Sequence, residues 1–177
     1  KNAKYFENNY DLIIDILDLN KIQTYIKNKY LKNENTISVH FRLGDYKNIK
    51  NTYIILNINY YIESLKYIIE NDKYNCTEVL CFYEYQDEDE IGFKIEQLQD
   101  IFCNIKFIKV SSEIKDMEQM LLMSVCQHNI IANSTFSWWA GYLNKNIDKI
   151  ICCPFKWFVA PNNLKELFPN NWKIIHN

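Results

Sequence analysis

Glycine and proline are scarce in this chain of 177 residues, which has 3 of each. The glycines Gly44, Gly92 and Gly141 stand far apart. A G-x-x-x-x-G-K-S/T phosphate loop and a G-x-G-x-x-G dinucleotide turn both need closely spaced glycines, so neither can be written here. No G-x-S-x-G nucleophile elbow occurs either. Nucleotide kinases, NAD enzymes and α/β-hydrolases lose weight accordingly. No apolar run approaches the roughly 20 residues that a membrane span requires, and no secretory leader is visible. An excess of one charge is also lacking. The net charge is −2, which gives no long-range pull on nucleic acid or anionic membrane, so a bound anion must be held locally. The 6 cysteines include no C-x-x-C pair. Metal ligands cluster at short spacings, so these thiols read as buried and free in a reducing compartment. Lys1 stands where an initiator methionine would be. The chain therefore reads as a piece of a longer protein, and a cytoplasmic setting is expected.

What is present is an apolar, aromatic chain: 48% hydrophobic and 15% aromatic, hence globular rather than disordered. A domain of this size buries roughly 70% of its unfolded surface. No repeat at solenoid periods and no low-complexity linker interrupts it. From Tyr5 to Tyr30, Leu12, Ile13, Ile16, Leu17 and Leu19 recur near a helical period. After the polar break at Asn33–Asn35, short apolar runs alternate with helical patterns. "TISVHF", "EVLCFYE", "IKFIKV", "NIIAN" and "KIICCP" read as five strands. "NINYYIESLKYIIEN", "DEDEIGFKIEQLQDIF", "DMEQMLLMSVCQH" and "STFSWWAGYLN" read as helices between them. Pro154, Pro161 and Pro169 mark an irregular tail. Short strands that are apolar on both faces and alternate with helices predict an α/β fold: a Rossmann-like parallel sheet with helices on both faces. The expected division is a helical lead-in over 1–35 and a Rossmann-like ligand-binding domain over 36–177. Ligands of such sheets sit beyond the carboxyl ends of the strands.

Two motifs fall at such ends. In "HFRLGDY", Arg42 offers a planar fork of donors suited to phosphate oxygens. Gly44 allows a sharp turn. Asp45 can accept from a sugar hydroxyl or hold Arg42, and His40 can donate to a base, a ribose or a phosphate. The plainer alternative is an Arg42–Asp45 ion pair at a strand end. In "NSTFSWW", Ser134, Thr135 and Ser137 open a helix, where N–H groups and hydroxyls make an anion cradle. Its plainer alternative is an N-cap by Asn133 or Ser134. "NST" also matches a glycosylation sequon, but burial at a strand end argues against its use. Trp138 and Trp139 are adjacent and so must face different ways. Together the two exits predict a diphosphate clamped between Arg42 and the Ser134 helix start. Asp87 and Asp89 form an Asp-x-Asp, but they precede a helix, where first-turn acids are ordinary. His128 reads as a helix-end residue for the same electrostatic reason.

"SVHFRLGDY", "LLMSVCQHNIIANSTFSWWAGYLN" and "KIICCPFKWF" together resemble the alpha-1,2-fucosyltransferase family, glycosyltransferase family 11. Its members show H-x-R-R-G-D-Y, then L-M-S-x-C-x-H-N-I-I-A-N-S-S/T-F-S-W-W, then P-x-x-W-F. The match runs from about Ile37 to Ile175, with all three segments in order. The resemblance implies the donor-binding, C-terminal lobe of a GT-B-type glycosyltransferase. It implies GDP-fucose as donor, a glycan hydroxyl as acceptor (the 2-OH of galactose) and inversion without a metal. A further N-terminal lobe of the parent chain is expected on the same ground. By carry-over, Arg42 would hold the diphosphate and act on the leaving group. His40 and Asp45 would line the nucleotide site, with Asp45 a candidate base. Ser134, Thr135, Phe136 and Ser137 would wrap the phosphates and ribose. Leu43 stands where the family has a second arginine, which removes a cation. Where the family has an Asp before L-M-S, this chain offers Glu118 and Gln119, with Asp116 upstream. Glu118 is the expected partner of the guanine edge. A non-catalytic glycan- or nucleotide-binding module, or a related transferase with another nucleotide-sugar, would also fit these residues.

Overall fold

The computed structural model describes residues 9–160 and 167–176. Two helices lead in, α1 (Tyr10–Ile16) and α2 (Leu19–Tyr30). Then follow β1 (Thr36–His40), α3 (Ile58–Asn71), β2 (Glu78–Phe82), α4 (Glu88–Ile101), β3 (Lys106–Lys109), α5 (Asp116–Val125), β4 (His128–Ile130), α6 (Thr135–Leu143), β5 (Ile151–Pro154) and β6 (Lys173–Ile175). Short 3-10 turns at Gly44–Asn48 and Tyr85–Asp87 follow β1 and β2. The six strands form one sheet in the order β3-β2-β1-β4-β5-β6, and every pairing is parallel. The α/β expectation therefore holds. The strand order reverses between β1 and β4, the place where doubly wound sheets open a crevice for ligands.

Side-chain alternation along the central strands explains the two layers of helix. Ile37 and Val39 of β1, with Val79 and Cys81 of β2, pack against Tyr60, Tyr61, Leu65 and Ile68 of α3 and against α4. Leu80 and Phe82 point the other way, toward α2, α5 and α6. All five residues of β1 are buried, as expected for a strand with neighbours on both edges and helices on both faces. The polar residues on the second face pair with each other. Asn129 donates to Ser38 Oγ and to the Met123 carbonyl, each at 2.7 Å. Its own Oδ1 accepts from Asn144 at 2.7 Å. These bonds stitch β1, β4, α5 and the end of α6 together.

Over its described part the helical pattern of Tyr5–Tyr30 forms two helices with a break at Asp18, which adopts a left-handed φ of 47°, and three other expectations need correction. Leu12, Ile16 and Leu17 are exposed, and Ile14, Leu19 and Ile26 make the core contacts. The tail is not wholly irregular, since β6 adds a sixth strand beside β5; Pro161 lies outside the described residues. With three residues, two of them exposed, that edge strand has almost no periodicity to detect. His128 is not at a helix end but opens β4, fully buried. Finally, five cysteines are buried but Cys103 is exposed, because it lies in the turn after α4.

Candidate active site

The loops that leave β1, β2 and β4 converge on one cleft with two cavities of about 670 Å³ each. Arg42, Asp45 and Phe136 line both cavities and divide them. The first is completed by His40, Tyr83, Glu84, Gln86, Asp116 and Gln119. The second adds Tyr46, Tyr53, Ser134, Thr135, Trp157 and Phe158. The two motifs that looked suited to anions thus share one wall.

Arg42 is held from several sides. Its Nη1 donates to Glu84 Oε1, and its Nη2 donates to Asp45 Oδ1 at 2.6 Å. The guanidinium lies 5.1 Å from the centre of the Tyr46 ring, within cation–π range. Its Nε is buried and has no partner among the described residues. The turn that carries Arg42 is anchored in turn. Gly44 N–H donates to Asp87 Oδ2 at 2.6 Å, and Lys47 Nζ donates to Asp87 Oδ1 at 2.8 Å. Gly44 has φ +32°, which a side chain would resist. Asp87 is therefore more than a first-turn acid: its carboxylate ties the β1 exit to the β2 exit.

The β4 exit is equally fixed. Asn133 is fully buried. Its amide donates to the carbonyls of Ile54 at 2.8 Å and Trp157 at 2.9 Å, which explains why the sequon is not available. The Tyr46 hydroxyl donates to the Asn133 carbonyl at 2.9 Å. Burial pushes that phenol up to about 12, so it keeps its proton. Ser134 is the N-cap of α6, and its Oγ accepts from Phe136 N–H at 3.3 Å. The N-cap and the cleft wall are thus the same residue, so the plain and the functional readings of this motif coexist.

The His40 ring packs against Phe136 at a tilt, with centroids 5.4 Å apart, and is almost fully buried, with Nδ1 unpartnered among the described residues. Burial, reinforced by the nearby Arg42 cation, pulls its pKa from 6.5 down to about 3. The ring is neutral at physiological pH and so adds no cation to the cleft. Unfolded histidine binds a proton below about 6.5, while the folded ring does not until about 3. Its contribution to stability is thus complete above the unfolded value. It falls by about 1.4 kcal/mol per pH unit on acidification between the two. Melting curves from neutral pH to about pH 4 should show this slope, and His40→Gln should flatten it. An unchanged slope in that variant would contradict the buried neutral ring.

Two expected site residues lie elsewhere. Glu118 points to α2, where its Oε2 accepts from the Tyr30 hydroxyl at 2.5 Å and from Lys29 Nζ at 3.5 Å. One helical turn places Asp116 and Gln119 on the cleft side instead. Ser137 is fully buried and turned inward: Ala132 N–H donates to its Oγ at 3.2 Å. It braces the β4–α6 turn from below rather than lining the cleft. Sequence reasoning passed over Glu84, and it gave Tyr46, Asp87 and Asn133 no part in holding the cleft; only their partners reveal that part.

Among the described residues, one group has metal-ligand geometry: Asp72, Cys76 and His128. Its donor atoms are already engaged. Ile150 N–H donates to His128 Nδ1 at 2.9 Å. His128 Nε2 therefore carries the ring proton and donates to Asp72 Oδ1 at 2.9 Å. Cys76 N–H donates to Asp72 Oδ2 at 2.6 Å. The group closes the loop before β2, at the opposite end of the sheet from the cleft.

The description of glycosyl transferase family 11 matches residues 4–176. This chain belongs to that family. It is 32% identical over 188 residues to the O-antigen biosynthesis glycosyltransferase WbnK of Escherichia coli, covering 97% of this chain and 57% of the relative. An alpha-1,2-colitosyltransferase of the same organism is 33% identical over 182 residues, with 97% and 59% covered. The chain thus spans somewhat over half the length of these relatives. Among solved structures, E. coli ADP-heptose lps heptosyltransferase II matches with a TM-score of 0.54 and 15% identity. That match covers 86% of this chain and 42% of the other. At this identity the likeness concerns the fold alone, and it agrees with a Rossmann-like lobe of a GT-B-type glycosyltransferase. Among the described residues no helix is long and apolar enough to cross a membrane.

Proposed function

We propose that this family 11 chain is the donor-binding lobe of an inverting glycosyltransferase that moves fucose from GDP-fucose to a glycan hydroxyl, the 2-OH of galactose. The observation that carries the reading is the shared wall. Arg42 of the β1 exit and Ser134–Thr135 of the β4 exit line one cavity at the reversal of strand order. That arrangement suits a diphosphate, with a guanidinium on one side and a helix start on the other.

The two cavities divide the donor between them. The first, with His40, Asp116 and Gln119, takes the nucleoside. Asp116 or Gln119, rather than Glu118, accepts from the guanine edge. The second has an aromatic wall of Tyr46, Tyr53 and Phe158, with the two tyrosine rings stacked at 4.3 Å. It takes the sugar. Breaking the bond from sugar to diphosphate builds negative charge on the leaving oxygen. Arg42 and the N-terminus of α6 line the cavity where that charge develops and supply the donors that stabilise it. One such donor is worth roughly 3–4 kcal/mol. The reading assigns this charge to protein groups and requires no metal. Asp45 lies on the boundary of both cavities, where a carboxylate could take the acceptor proton.

A second reading changes only the sugar. One relative's name specifies alpha-1,2 transfer of colitose, so a colitosyl donor suits the same cleft. Competition calorimetry decides between them. GDP is expected to bind, with or without chelator, and GDP-fucose to displace it better than UDP-sugars do. Preference for a GDP-colitose donor would select the second reading. Failure of any guanine nucleotide to bind would overturn both.

A further inference from the structure

The cleft holds more carboxylate than one guanidinium can serve. Among the described residues lining the two cavities, Arg42 is the one permanent cation, against Asp45, Glu84 and Asp116. His40 is neutral, and Leu43, where the family has arginine, is buried. Glu84 and Asp45 already occupy both ends of the Arg42 fork. A diphosphate adds at least two negative charges, and like charges cannot share one cation at close range without cost. One carboxylate has to leave.

We propose that Glu84 is a displaceable internal anion, which pairs with Arg42 until a diphosphate takes its place and returns to help expel the product nucleotide. The proposal rests on the nucleotide-sugar reading above. Three observations single out Glu84. Its carboxylate fills the niche left by the missing side chain of Gly44, where a Cβ would collide with it. Its Oε2 also accepts from Gln86 Nε2 at 2.8 Å, so the β2 exit presents the carboxylate to Arg42 from a built seat. Arg42 Nε remains unpartnered among the described residues, so the two carboxylates do not complete the guanidinium. Asp45 is the poorer candidate for exchange. Its side chain is 63% exposed against 34% for Glu84, so water screens its pairing with Arg42 and it contests an incoming anion less. Glu84 needs only a change of rotamer.

The test is calorimetric titration of GDP and of inorganic pyrophosphate into this chain and four variants: Glu84→Gln, Arg42→Ala, the double variant and Gln86→Ala. Glu84→Gln keeps the shape and removes the competing charge. It should tighten both ligands about tenfold, the scale of coupling between directly paired groups. The same change in the Arg42→Ala background should alter binding by less than about twofold, a dependence that a merely structural role would not show. Gln86→Ala, which loosens the seat without touching either charge, should also tighten binding and serves if Glu84→Gln folds poorly. Pyrophosphate that tightens without any GDP binding supports the exchange and overturns the nucleotide reading. GDP binding left unchanged or weakened by both Glu84→Gln and Gln86→Ala overturns the exchange and leaves the nucleotide reading standing. No binding of either ligand by any form overturns both.

Discussion

Replacing Arg42 by alanine should raise the dissociation constant for GDP at least about 100-fold, the largest loss expected from any single change in the cleft. Two charge-assisted hydrogen bonds from one guanidinium are worth roughly 1.5–3 kcal/mol each, and each 1.4 kcal/mol is tenfold in affinity. Among the described residues no other permanent cation lines either cavity to compensate. Arg42→Lys should restore little, because an ammonium lacks the planar fork and the stacking on Tyr46. Binding of GDP to Arg42→Ala within about fivefold of the parent, measured by calorimetry, would remove this residue from the donor site.

The second large effect is expected from Asn133→Ala, and it falls on stability. The amide of Asn133 donates to a part-buried carbonyl of Ile54 and a buried one of Trp157, and so joins the segment after β1, the β4 exit and the segment after β5. Truncation leaves both carbonyls without a donor and opens a small void. Each buried polar group left unpaired costs roughly 1–3 kcal/mol, so a loss of about 2–4 kcal/mol follows. In a domain of this size 1 kcal/mol shifts the midpoint by roughly 2–4 °C. Melting should therefore occur about 5–12 °C lower, with weakened GDP binding, because Ser134 is the next residue. A midpoint unchanged within about 2 °C would show that water replaces the amide at no cost.

The layering of the fold was legible because burial on both faces removes polar residues from the strands and leaves short apolar runs such as "TISVHF". The position of the cleft was legible because two unusual motifs fell at strand ends, and parallel sheets place ligands there. Legibility stopped at contacts between distant segments. Nothing in "YEYQDED" says that Glu84 will reach Arg42 or that Asp87 will seize the backbone of Gly44. Helical phase defeated the choice of Glu118: residues one and two positions away face the cleft, and only the packing of α5 on α2 decides which. The edge strand β6 was lost for a related reason, since a three-residue strand with one partner leaves no alternation to read.

The placement of the cleft between β1 and β4 ties its birth to the slowest part of self-assembly. Ser38 and its partner Asn129 are 91 positions apart, and closing so long a loop taxes the search before any contact repays it. A nascent chain can pair β1 with β2 early, but the other margin of β1 waits, unclothed, until residue 130 has been synthesised. Sequestering that margin and completing the cleft are one event. Chaperone dependence and aggregation during expression should therefore track changes at the β1–β4 seam more closely than changes at β3 or β6.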